Sequence, residues 1–147
     1  MAIPGESLSI PVYQVDAFTE EPFEGNPAAV CLVEAFLPEE TMKKIALEMN
    51  LSETAFVAPS TRGGERGSFS IRWFTPAVEV PLCGHATLAS SWVIFTEKET
   101  SATRITFESA SGTLAATREG EGVTLDFPRN DSEPAVVPAG LLEALGL

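Results

Sequence analysis

Positive charge is scarce in this chain: nine Lys and Arg stand against 21 Asp and Glu among 147 residues, a formal charge of -12. Such a surface repels polyanions on average, which argues against nucleic acid and anionic membrane as partners. Histidine occurs once, as His85, and cysteine twice, as Cys31 and Cys83. One imidazole and two separated thiols fall short of the usual zinc ligand set and spacing, so no metal is implied. Two thiols without a secretory leader do not read as a disulfide framework either. The N-terminal stretch carries Pro4, Glu6 and Pro11 with no basic n-region, unlike a signal peptide. The longest clearly apolar run, AAVCLV at 28–33, is much too short to cross a bilayer. Neither a GxGxxG nor a Walker A loop is present, so no cofactor is implied. The expectation is a soluble, cytoplasmic protein with reduced thiols.

What is present suffices for a core: 44% of the residues are hydrophobic, ample for one globular domain. Alternation predicts strands over 10–18, 28–33, 53–58, 68–75, 103–109, 112–118 and 122–128, with Phe69, Ile71 and Trp73 on one face of the fourth. The turn-forming stretches FEGNP (23–27), TRGGERG (61–67) and REGEG (118–122) separate them, so most should be antiparallel neighbours. Two segments read as helices. In 38–50, Met42, Ile45, Ala46 and Met49 mark one apolar stripe. In 85–98 no charge occurs from Ala86 to Phe95, so polarity selects no outward face and sheet should wrap the helix on most sides. The fold class expected is α+β, a barrel-like, mostly antiparallel sheet around a central buried helix. After Pro128 the texture turns polar and proline-rich, which divides the chain into a domain over 1–128 and a linker over 129–147 that leads into LLEALGL, the start of a truncated second half.

Two short stretches carry candidate chemistry. In PLCGHAT, the helix start at Gly84, His85 and Ala86 presents amides without intrahelical acceptors, where a substrate carboxylate would dock. His85 would add a ring donor or shuttle a proton. In NLSETAFV, Ser52 and Glu53 stand at a helix-to-strand junction before an apolar run, a setting suited to a proton carrier. Cys83, beside the helix start, is an alternative base, since a thiolate there is favoured. Read singly, these residues are more simply a turn glycine, a capping histidine, a solvated strand-end glutamate and a packed thiol. Asp16 and Asn26 read structurally, as a strand residue needing a partner and as an Asx-type turn before Pro27.

Taken in order, VDAFTEEPFEGNPAAVCLV, MNLSETAFV and IRWFTPAVEVPLCGHATLAS resemble the N-terminal half of the PhzF-like isomerases of phenazine biosynthesis, and most closely their MAWD-binding-protein branch. The resemblance covers about residues 11 to 128. It implies a diaminopimelate-epimerase-like fold, in which two similar halves each wrap a sheet around a central helix and the active site lies between them. It further implies that Glu53 is the acid/base and that Ser52, Gly84, His85 and Ala86 surround a small anionic substrate bearing amino and carboxylate groups. Cys83 coincides with the catalytic thiol of related epimerases. In the family a facing aspartate and a Gly-Ser anion site come from a second half, so a complementary second half or a homodimer is expected to complete the cleft. The rival expectation is a non-catalytic interaction module, an inactive half-enzyme whose apolar cleft walls serve as an interface.

Overall fold

The computed structural model describes residues 9–60, 66–129 and 131–147. Each alternating segment forms a strand close to its expected bounds: β1 (Val12–Ala17), β2 (Asn26–Leu32), β3 (Glu53–Pro59), β4 (Ser68–Phe74), β6 (Arg104–Ser109), β7 (Gly112–Glu119) and β8 (Gly122–Asp126). An additional two-residue strand, β5 (Glu79–Val80), pairs with the end of β4. The sheet runs β1-β2-β3-β4-β6-β7-β8, with β5 off this path. Five of the seven pairings are antiparallel, while β2–β3 and β4–β6 are parallel. The two parallel joints fall where a helix intervenes, because a tight turn cannot return a chain in the same direction. Helix α1 (Glu39–Met49) bridges β2 to β3, and α2 (Gly84–Glu97) lies between β4 and β6 in the chain. The expected TRGGERG turn falls largely on residues outside those described. Gly67 at its end has φ +82°, a conformation that suits glycine.

α2 is the axis of this α+β architecture. Nine of its residues are buried, including Ala86, Ala89, Val93, Ile94 and Phe95. They pack with Ala28, Val30, Ala55, Val57, Ile71, Trp73, Ile105, Phe107, Leu114 and Ala116 from the strands around them. Phe69, partly buried, joins Ile71 and Trp73 on that face, as its spacing predicts. Each large apolar side chain so enclosed contributes about 1.5–3 kcal/mol. The hydroxyls on α2 are satisfied within the helix: Ser90 Oγ donates to the Ala86 carbonyl and Ser91 Oγ to the Thr87 carbonyl, both at 2.7 Å. That back-bonding lets a helix with buried serines enter an apolar barrel. α1 covers the outer face of the sheet, where Met42 and Ala46 pack with Cys31, Phe56 and Phe74.

The two ends of α2 are held differently. At the C-terminus, Arg118 from β7 donates to the Phe95 carbonyl and, at 3.1 Å, to the Thr100 carbonyl, with its guanidinium 4.9 Å from the Phe95 ring centroid. A cation there complements both the orphan carbonyls and the helix dipole. At the N-terminus no side chain caps the helix and no acidic residue occupies the first turn. A short helix, α3 (Leu141–Ala144), follows in a segment whose described residues from 131 onward are all exposed. Among the described residues no helix is long and apolar enough to cross a membrane. Arg118→Ala should lower unfolding free energy by about 1–2 kcal/mol, since it strips charged hydrogen bonds from a helix end. Urea denaturation beside the unaltered chain measures this, and an unchanged midpoint would remove the cap from the account.

Candidate active site

The position of Glu53 is set by how α1 ends. Asn50 takes a left-handed conformation, φ 51°, and its amide bonds the Ala46 carbonyl, which stops the helix. Three residues later β3 begins at Glu53, and its parallel register places Glu53 opposite Ala28. The starts of β2 and β3 therefore lie at the same end of the sheet. The N-terminus of α2 reaches that end too, bringing Cys83, Gly84 and His85 to the two strand starts.

The single imidazole is the hub. His85 Nε2 lies 3.2 Å from Ser52 Oγ and 3.3 Å from Glu53 Oε2. Its Nδ1 lies 3.4 Å from Cys83 Sγ. Ser52 Oγ in turn donates to Asn26 Oδ1 at 3.2 Å. Proton supply selects one tautomer. A carboxylate only accepts, so a proton on Nε2 serves Glu53, and the neutral Cys83 thiol then supplies a donor to the Nδ1 lone pair. The histidine is 8% exposed, and the Glu53 side chain keeps 20% of its surface open to solvent. A carboxylate is thereby shielded yet reachable.

Cys83 shows which of two opposing effects prevails. A helix start lowers a thiol pKa, and the amides of Ala86 and His85 act in that direction. Burial outweighs them and, with the Glu53 charge adding to it, pushes the thiol up to about 11 from 9.0. Cys31, wholly buried under α1, is pushed up to about 12 by burial. Gly84 has no positive φ, and a Cβ added there would meet only the Phe127 ring, at 3.9 Å. Gly84 is thus an ordinary helical residue, and its small size leaves the first-turn backbone clear on one side. Ala86 is 0% exposed and its methyl group packs in the core, while its amide is turned to the Cys83 sulfur.

Ser52, Glu53, Cys83 and His85 converge as their motifs suggest. Asn26, assigned from sequence to a turn alone, joins them through Ser52. The loop ahead of it is fixed separately: the Phe23 amide donates to Asp16 Oδ2 at 3.3 Å, which gives Asp16 its partner. A Cβ at Gly25, φ +72°, would stand 2.2 Å from the Ala17 carbonyl oxygen, so this turn requires glycine. A cavity of about 610 Å³ lies at the opposite end of the barrel, lined by Leu32, Val57, Phe69 and Lys98, and includes none of these residues.

Residues 15–135 match the family model for phenazine biosynthesis-like proteins, PhzC-PhzF. The chain belongs to this family. An uncharacterized isomerase of Pseudomonas aeruginosa is 49% identical over 140 residues, covering 95% of this chain and 52% of that protein. The crystal structure of a PhzF-family protein from Enterococcus faecalis superposes with a TM-score of 0.82 at 46% identity, again over 95% of this chain and 52% of the other. The chain thus spans about half the length of the PhzF-like proteins it matches. A hydroxyproline epimerase from Agrobacterium vitis, at 12% identity and a TM-score of 0.56, shares the fold.

The raised thiols carry a pH consequence. Below pH 9 both states keep their thiol protons; above it the unfolded chain ionises first, so stability falls from about pH 9 toward 11 for Cys83 and 12 for Cys31. Denaturation midpoints across this range should decline less steeply in Cys31→Ala than in the unaltered chain. Parallel profiles would contradict the buried-thiol assignment.

Proposed function

We propose that this chain forms one wall of a cofactor-independent isomerase site that moves a proton on a small substrate bearing amino and carboxylate groups. The observation that carries this reading is the Glu53 carboxylate, shielded and 3.3 Å from His85 Nε2, beside the uncapped start of a buried helix. Glu53 is the general acid/base. The first-turn backbone from Gly84 to Ala86, with the helix dipole behind it, receives the substrate carboxylate, and Gly84, which has no side chain, leaves the approach to it clear. Ser52, tied to Asn26 and the imidazole, orients the substrate amine. His85 holds Glu53 in place by the hydrogen bond donated from Nε2, and so fixes the carboxylate that exchanges the proton with the bound substrate.

Cys83 is the alternative base of a racemase-type variant. Its thiol, neutral well above pH 7 because of burial, favours Glu53 for the role. One carboxylate is half of an acid and base pair, and the chain spans about half of its relatives. We therefore assign the second catalytic group to a complementary half or to a second copy in a homodimer, for which a C2 arrangement would bring two Glu53 sites face to face. A cytoplasmic setting accords with two free thiols.

Solvent deuterium exchange into a panel of cyclic amino acids, followed by proton NMR on the dimer or the complemented chain, tests the assignment. Glu53→Gln should reduce exchange by about 100-fold or more while leaving the fold unchanged; unchanged exchange removes Glu53 from the mechanism. If the chain is instead an interaction module, no exchange occurs with either form and partner binding survives the substitution. Gly84→Ala should fold with an unaltered denaturation midpoint, because a methyl group is accommodated there, yet raise the substrate concentration needed for half-maximal exchange. An unaltered substrate dependence would exclude the first-turn amides as the anion site.

A further inference from the structure

Proton transfer uses Glu53 and His85 and leaves the third member of their cluster, Cys83, with no more than a hydrogen bond to the imidazole. Yet the ligand atoms of Glu53, Cys83 and His85 all lie within 4.8 Å of one another. We propose that these three residues form a chelating site for a soft divalent transition ion of the Zn²⁺ class, and that the bound ion blocks the carboxylate on which the isomerase reading rests.

Thiolate, imidazole and carboxylate are the three side-chain donors that zinc takes most readily. Bonds of about 2.3 Å to sulfur and about 2.0 Å to nitrogen at a tetrahedral angle hold two ligands about 3.5 Å apart. Cys83 Sγ and His85 Nδ1 already stand at 3.4 Å. The tautomer argued above leaves the Nδ1 lone pair facing the sulfur, and Ser52 on Nε2 is the kind of outer partner that fixes a ligating ring. Cys83 and His85 flank one residue at the start of a helix whose body is packed on most sides, so little ordering remains to be done on binding. Glu53 completes the set by a side-chain rotation. A chain of formal charge -12 attracts cations in general.

The exchange balances simply. Cys83 releases its thiol proton to solvent, the sulfur and Nδ1 lone pairs form two bonds to the ion, and a Glu53 oxygen forms the third. Water fills the fourth position. No electron changes hands. Because the thiol proton shields Nδ1 in the metal-free state, the ion takes its place between the same two atoms.

Co²⁺ is the probe, added to the full chain in reduced, chelator-treated buffer. One equivalent should produce thiolate-to-cobalt charge-transfer absorption together with visible bands of four-coordinate geometry, and Zn²⁺ should displace both. Cys83→Ser should abolish the charge transfer and weaken Zn²⁺ binding by about 100-fold or more, beyond what loss of an outer partner costs. Glu53→Gln should keep the charge transfer with weaker affinity, and Cys31→Ser should change neither. In the unaltered chain Zn²⁺ should also slow alkylation of Cys83, which needs no variant to fold. Absence of the charge-transfer band at saturating Co²⁺, its survival in Cys83→Ser, or alkylation indifferent to Zn²⁺ each overturns the site. Deuterium exchange measured in parallel separates the two readings. A cobalt band with no exchange at any metal level supports the site and removes the enzyme; exchange that equimolar Zn²⁺ does not suppress overturns the blocking role.

Discussion

An uncharged helix cannot rest against water on all sides, and the burial of α2 is the constraint from which the remainder of this structure follows. With no charge from Ala86 to Phe95, α2 needs cover on most of its circumference. One flat sheet would cover one face only; a curled one does more, and the sheet from β1 to β8 is curled. The serines of α2 fit because their hydroxyls return to the helix carbonyls, and Arg118 closes the far end. A helix enclosed in this way has its dipole directed along the barrel axis, so the end that lacks a cap becomes a place of positive potential held rigidly by the whole core.

The candidate site residues gather at that end because of how the strands pair. The parallel pairing of β2 and β3 puts Asn26 and Glu53 on the same rim as Cys83 and His85. The lone imidazole then uses both nitrogens, one toward an acid and the other toward a thiol. Membership of the PhzF-like family fits such a rim. The same convergence that sets a carboxylate against an imidazole brings together three atoms that a metal ion would accept.

Much of this could be read along the chain. Strict alternation in SFSIRWFT and GVTLDFP marked strands because one face of each is buried and the other is not. The absence of charge in HATLASSWVIF marked the axial helix for the converse reason. The motifs around Ser52, Glu53, Gly84, His85 and Ala86 were visible as short stretches of residue types suited to anion binding and proton transfer. What escaped was relational. Alternation reports a strand's faces and says nothing of its neighbours, so the parallel joints at β2–β3 and β4–β6 were not foreseen. β5, two residues long, is too short for any period. Asn26 looked like a turn residue since only the register of β2 against β3 reveals that Ser52 stands over it. The thiol of Cys83 looked poised for ionisation because the helix start is legible in sequence and the depth of burial is not.

The parallel joint between β4 and β6 also orders events in time. Strands β6 to β8, which close the wall over one flank of α2, are synthesised after the helix. A nascent chain that has emerged only as far as Glu97 therefore carries a greasy, uncharged cylinder covered on one side by β1 to β4. Until the last hairpins leave the ribosome, that flank exposes apolar side chains, a natural landing place for chaperones and a hazard at high expression.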